Sequence, residues 1–362
     1  MTTADLIKCR LVNQHIAATK LTTAHEVVSS MCAMQSQEYA QAKWAIGLRL
    51  QHTTEAEVEK AFNDGKILRT HLLRPTWHFV TPENIRWLLT LTAPRVKAIN
   101  ASMYRKLELD DKIFTRSADT FIKALRGEKQ LTRTALKASL ASANIMADGL
   151  RLAYILMHAE LDGIICSGQR VGKQFTYALL NERVPAANAL TKQQSLAKLT
   201  LTYFTTRGPA TLQDYATWSG LTMKEVKEGV ELVKHELAEV IVDGQQYLVA
   251  QSAMDNALKA TLQKYQQSTF LMPDYDEYGM SYKDRSAIFM KDHRSLLPPK
   301  PHNDVVSNHM IIMDGVIAGM WKRTERNKKV DVETVPFEPL NKAQESAISK
   351  AVNRYCSFTN NS

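Results

Sequence analysis

Residues 211–249 limit the possible folds of this chain more than any other stretch. Thr211 stands where it can cap a short helix carrying Leu212, Tyr215, Ala216 and Trp218. Ser219-Gly220-Leu221 reads as a turn. Thr222-Met223-Lys224-Glu225 then reads as a capping box, in which a hydroxyl and a carboxylate satisfy free N–H groups at the start of a second helix. Ala216, Gly220 and Val226 supply a small residue where two helices touch, a glycine in the turn and a branched side chain in the core. Two alternating strands follow, over Glu239–Val242 and Gln246–Val249, joined by the hairpin dipeptide Asp243-Gly244. The pattern predicts a winged helix-turn-helix, a unit that docks on DNA. It also suits a helical pair used for packing or for protein contacts.

The same grammar recurs upstream. In the first hundred residues, Leu6, Val12 and Ile16 carry helical periodicity, and Thr23 with Glu26 and Thr54 with Glu57 form two further capping boxes. A helix between them carries Tyr39, Trp44, Ile46 and Leu50, and Ile67–Val80 reads as a hairpin turning near Arg74-Pro75. Thr81-Pro82 opens the next helix. A second copy has helices near 117–126, 133–143 and 146–161. Its strands at Gly163–Cys166 and Phe175–Tyr177 flank a basic, glycine-rich tip, Gly168–Lys173, with Arg170 and Lys173 as phosphate-contact candidates. The expected fold is α+β and mainly helical: three tandem winged helix-turn-helix units at 1–95, 96–185 and 186–265, then a C-terminal region over 266–362.

That last region differs. Phe270-Leu271-Met272 feeds an acidic, aromatic loop, Pro273-Asp274-Tyr275-Asp276-Glu277-Tyr278, and Leu297-Pro298-Pro299-Lys300-Pro301 excludes regular structure. Strands over His309–Met313 and Val316–Trp321 surround Asp314-Gly315, and a third spans Val330–Val335. Between the last two lies the densest basic cluster in the chain, with Lys322, Arg323, Arg326, Lys328 and Lys329 against one acid. At a hairpin tip it is a natural phosphate contact, or a solvated turn. A final helix is expected from Leu340 to Tyr355. Lys plus Arg number 46 against 37 Asp plus Glu, a net charge of +9, so the chain is attracted to polyanions.

Motifs for other chemistry do not appear. The four cysteines, Cys9, Cys32, Cys166 and Cys356, form no CxxC, and the ten histidines form no HExxH. No P-loop or GxSxG is found. His71 and His78 flank the first hairpin and read as structural. Asp274, Asp276 and Glu277 could perform paired-carboxylate work, but an acidic loop bridging the basic hairpins is the plainer reading. No apolar run approaches a membrane span, and a cytoplasmic setting is expected. Met34-Gln35-Ser36-Gln37-Glu38-Tyr39 falls where the second helix gives way to the third, at the end of a helix that would face DNA. Two amides one residue apart can each donate and accept, so they could hold a water or grip a phosphate; a polar helix start is the bland alternative.

Several stretches resemble the bacterial winged-helix proteins grouped with the AlkZ/YcaQ crosslink-repair DNA glycosylases. They are Met34–Tyr39, Lys43–Arg49, Arg69–Val80, Gly208–Thr211, Pro273–Tyr278 and Tyr282–Arg285, in order along nearly the whole chain. The resemblance implies a concave DNA surface built from three winged helices. It implies hydrolysis of the N-glycosidic bond of alkylated purines, without metal or organic cofactor. The family's Gln-x-Gln or Gln-x-Asp motif maps onto Gln35 and Gln37. Its middle residue is usually apolar, so Ser36 is a departure; it would point away from its neighbours and puts the exact substrate in doubt. The family's DNA-engaging basic hairpin corresponds loosely to Lys322–Lys329.

That chemistry is physically coherent. An N7-alkylated purine is cationic and already a good leaving group, so no general acid is needed. The protein need only place a water and stabilise an oxocarbenium-like sugar, helped by nearby phosphates. The expected partner is double-stranded DNA in a nucleoid-associated monomer, with no membrane. The alternative is a winged-helix DNA-binding protein or transcriptional regulator without catalysis.

Overall fold

The computed structural model describes residues 1–18, 21–254, 269–289, 309–326 and 329–360. The proline-rich stretch at 297–301 lies outside them. The architecture is mainly helical, with three small antiparallel sheets and one hairpin.

The first segment contains α1 (Thr3–Asn13), α2 (Ala24–Met31), α3 (Tyr39–Gly47) and α4 (Glu55–Asn63). Its strands are β1 (Met34–Gln35), β2 (Leu68–Leu72) and β3 (Thr76–Val80), in the order β1-β3-β2. Capping boxes at Thr23 and Thr54 form as expected. α3 ends three residues before Leu50. α5 (Pro82–Lys106) then runs unbroken through residue 95, with Pro82 in its first turn.

The second segment contains α6 (Asp111–Leu125), α7 (Arg133–Ser142) and α8 (Gly149–Leu161). Strands β4 (Leu131–Thr132), β5 (Ile165–Ser167) and β6 (Thr176–Leu179) form a sheet ordered β4-β6-β5, and α9 (Leu180–Arg183) follows.

The third segment begins with α10 (Lys192–Thr206), a helix not anticipated above. It continues with α11 (Leu212–Ser219) and α12 (Met223–Val233), and ends in the hairpin β7 (Leu237–Val242)–β8 (Gln245–Ala250). Thr211 and Thr222 each cap their helix with a full box, and Gly220 takes φ +72° in the turn between them. A side chain there would strike the Leu73 carbonyl, so the turn packs directly against the first segment.

The C-terminal region supplies β9 (Thr269–Leu271), α13 (Glu277–Met280), β10 (Met310–Met313), β11 (Val316–Arg326), β12 (Lys329–Pro336) and α14 (Lys342–Asn360). Its sheet is ordered β12-β11-β10-β9. One apolar core joins this region to the first segment, with Trp44, Trp321, Tyr355 and Phe358 in contact. A second joins β2 and α5 to α10–α12, and a third lies within the second segment. No helix among the described residues is long and apolar enough to cross a membrane.

Candidate functional site

The Gln-x-Gln stretch does not end a helix. α2 stops at Met31, Cys32 turns the chain with φ 64°, and Met34-Gln35 pairs with β3. The pairing has a structural cause. A strand in register with Phe79 and His78 places Met34 in the apolar core and Gln35 on the opposite face. Tyr39 then begins α3, so Ser36, Gln37 and Glu38 form the bend between strand and helix.

Gln35 is 7% exposed. Its backbone N–H donates to Glu277 Oε1 at 2.8 Å, and its side-chain carbonyl accepts from Arg74 Nη2 at 3.0 Å. Arg74 also donates to the Thr217 carbonyl at 3.1 Å, which ties the motif to α11. Gln37 is exposed, and its carbonyl accepts from the Trp77 N–H at 3.4 Å. Ser36 is fully buried, its N–H donates to the Trp77 carbonyl, and its hydroxyl has no partner among the described residues. Arg69 braces the bend, donating to the backbone carbonyls of Ser36 (3.1 Å) and Gln37 (3.5 Å).

Two carboxylates of the acidic loop, Asp276 and Glu277, turn inward to buried arginines rather than to the basic hairpins. Asp276 forms a two-pronged pair with Arg49 at 2.8 Å for both oxygens, and both side chains are buried. Glu277 receives Arg207 Nη2 at 2.7 Å, Trp218 Nε1 at 2.9 Å and the Ser281 hydroxyl at 3.2 Å. Arg207 also donates to the carbonyls of Met31 and Ala33, either side of the turn that precedes Gln35. Burial pushes the Glu277 carboxyl up, but the Arg207 charge and the donated hydrogen bonds outweigh it and bring it down to about 2. Glu277 therefore stays ionised and holds the motif in place. The sequence carried a signal, five acidic or aromatic residues in a row, but not the partners, which lie far off in the chain.

His71 and His78 stand on β2 and β3 and are both buried. His71 Nδ1 lies 2.5 Å from the Glu160 carboxylate, and its ring stacks on Trp77 at 3.9 Å. His78 faces Gln35 across the sheet and donates from Nδ1 to the Thr76 carbonyl. Burial foremost, then the Arg74 charge, push it down to about 3, so it is neutral.

The expected DNA-contacting cations separate into three groups. Lys322 is exposed on β11, opposite Glu333, while Arg323 is half-buried against the Tyr355 hydroxyl at 3.2 Å. Arg326 and Lys329 pair across the same hairpin by backbone register, and Lys328 lies outside the described residues. At the second tip, Arg170 turns inward to Glu59 (3.4 Å) and lies over the Tyr39 and Phe175 rings, whereas Lys173 is exposed.

With this geometry in view, comparison with known proteins is decisive. The family model "DNA glycosylase AlkZ-like" matches residues 28–358. The chain belongs to the AlkZ-like DNA glycosylase family. A curated relative, the interstrand DNA cross-link repair glycosylase of Streptomyces sahachiroi, is 22% identical over 353 residues, 92% of each chain. The solved structure of Streptomyces sahachiroi DNA glycosylase AlkZ superposes with a TM-score of 0.81 at 18% identity, covering 99% of this chain and 97% of that one. The AlkZ-like fold thus spans the molecule, including the region that supplies Asp276 and Glu277.

Proposed function

We propose that this protein is a DNA glycosylase that hydrolyses the N-glycosidic bond of N7-alkylated, cationic purines, including those in interstrand crosslinks. The observation that carries the reading is Gln37: an exposed carboxamide on a rigidly held bend, one residue from a second carboxamide. In this reading the three helix-and-sheet segments act as tandem winged helices around a duplex. Lys322, Arg323, Arg326, Lys328 and Lys329 meet the backbone on one side, and Lys173 meets it on the other, while Arg170 stays turned inward to Glu59.

Both glutamine carbonyls already accept a hydrogen bond, strongly at Gln35 and weakly at Gln37. Their NH2 groups donate to no protein atom among the described residues. Each carbonyl oxygen retains a second lone pair. A water can therefore donate to the Gln37 carbonyl while accepting from an amide N–H, which aims its free lone pair at the sugar. A carboxamide is a poor base, so the chemistry relies on the leaving group: departure of a cationic purine needs no protonation, and the developing positive sugar is stabilised by adjacent phosphates.

A DNA-binding protein without catalysis is the second reading, and the near burial of Gln35 favours it. Release of free 7-methylguanine from alkylated duplex DNA separates the two. The expected result is release by the unaltered protein and a loss of about 100-fold or more in Gln37→Ala with duplex affinity retained. Tight binding with no release over long incubation would leave only the non-catalytic reading.

A further inference from the structure

A recess lies beside Gln37. It is a cleft of about 430 Å³ between the first and second segments, and Arg69, Trp77, Arg133, Lys173, Phe175 and Tyr177 form much of its wall. No acidic residue lines it. Its link to Gln37 is direct, because Trp77 donates its N–H to the Gln37 side chain and Arg69 donates to the Gln37 carbonyl.

The wall is built in alternating aromatic and cationic layers. His71 stacks on Trp77, the Arg69 guanidinium lies 4.1 Å from the Trp77 ring and 4.8 Å from Phe175, and Arg170 lies over Phe175 and Tyr39. Arg69 is thereby fixed, buried to 6% exposure, while Arg133 and Lys173 at the rim are exposed. Tyr177 is 5% exposed, yet its hydroxyl makes no hydrogen bond to any described residue. The hydroxyl opens onto the recess rather than being sealed in the core, so it is free to meet a ligand atom there. The volume lies within the range of small-molecule sites and is too large for a lone phosphate.

We infer that this cleft takes up one unalkylated nucleotide of the bound DNA, its base on the open part of Trp77 and beside Tyr177, its phosphate on Arg133 and Lys173. The inference rests on the glycosylase reading. Charge decides which nucleotide is admitted. An N7-alkylpurine is cationic, and three cations around the cleft oppose its entry. A neutral base carrying an anionic phosphate suits both the aromatic wall and the rim. Two nucleotides have that chemistry: the neighbour of the lesion on its own strand, and the residue opposite it. Drawing out the neighbour would unstack the lesion on one side, and drawing out the opposite residue would unpair it; either opens its sugar to a water at Gln37, while the lesion itself stays outside the cleft.

The test places 2-aminopurine, a base whose fluorescence reports stacking, in a duplex carrying 7-methylguanine. It is put beside the lesion, opposite the lesion, or several pairs away. On binding, its emission should change at least twofold at one of the first two positions and not at the third; the responding position names the strand. Arg133→Gln, an exposed change outside the proposed backbone contacts, should reduce that response at least twofold while the duplex remains bound by anisotropy. No change at either near position with the duplex bound, or an undiminished response in Arg133→Gln, would overturn the inference. So would a response confined to 2-aminopurine placed at the lesion position of an undamaged duplex. If methylguanine is released but no response is seen, the cleft is wrong and the glycosylase reading stands; the converse pattern removes the glycosylase reading alone.

Discussion

Two regions of this molecule are rich in charge, and they use it in opposite ways. Around α13, Arg49, Arg207, Asp276 and Glu277 are all buried, each cation matched to one carboxylate and further tied to backbone carbonyls or amides. On the β11–β12 hairpin, Lys322 is exposed with an acid opposite it in register and Arg323 is partly drawn onto α14. Removing a charge from water is costly, so the first set can exist only if every partner is present. Charges of the second kind cost little and contribute little to the fold, which leaves them available for a polyanion. The first set fixes where the glutamines stand; in the proposed function the second sets how strongly DNA is held.

The largest effect that sharpens this contrast is expected from Arg207→Met. The change leaves Glu277 ionised and buried with its strongest partner gone, and it frees the carbonyls of Met31 and Ala33. Loss of one member of such a pair costs about 3–5 kcal/mol. Denaturant unfolding should show a midpoint far below that of the unaltered protein. A stability within about 0.5 kcal/mol of the original would mean that the buried pairs do not hold the first and third segments together.

Acid should produce the next largest effect, and its sign follows from the buried groups. Glu277 is held down at about 2, against about 4.3 for an unfolded chain, so its contribution is present above pH 4.3 and is lost as pH falls toward 2. That loss amounts to about 3 kcal/mol. His78 is pushed down to about 3 and His15 to about 4, in both cases chiefly by burial. Below about pH 6.5 the unfolded chain binds protons there that the folded chain refuses, so stability already declines from pH 6.5 downward. Unfolding free energy measured against pH should thus be level above 7, fall below 6.5 and steepen below about 4.3. His78→Asn should flatten the upper limb and leave the steeper one. A profile level down to pH 4.5 would contradict the burial of these histidines.

These buried pairs also mark the limit of what the sequence reveals. Local rules succeeded where neighbours in the chain decide the outcome: the capping boxes at Thr23, Thr54 and Thr222, the Gly220 turn and the Asp243-Gly244 hairpin all form. Family membership was legible from motifs spread along the chain, with Arg69–Val80 the longest. What could not be read was pairing at a distance. Glu277 meets Arg207 across 70 positions and Asp276 meets Arg49 across 227, and spacing carries no trace of either. The same limit explains why Met34-Gln35 reads as the end of a helix: two residues carry no periodicity, and only β3 beside them makes a strand. Arg170 shows it at the second tip. Its composition suggests an outward phosphate contact, yet Glu59 and Tyr39 of the first segment, with the Phe175 ring beside it, draw it inward.

The smallest effect belongs to the hairpin, and it is the one that isolates function from fold. Lys322→Gln removes an exposed cation, and Arg323→Gln also releases a contact to Tyr355. If each contacts one phosphate, each counterion released on binding contributes close to one unit to the slope of log affinity against log salt. The double variant should lower that slope by about two and weaken binding to every duplex sequence alike, because phosphates carry no base identity. Lys322→Gln alone should leave unfolding within about 0.5 kcal/mol of the original. The rate of methylguanine release from DNA already bound should also persist, since Gln35 and Gln37 are held by Glu277, Arg74 and Trp77, none of which the hairpin touches in any described contact. An unchanged salt slope would remove β11–β12 from the interface. A lost turnover rate at saturating protein would instead mean that the exposed and buried charges are coupled, which their separate hydrogen-bond partners argue against.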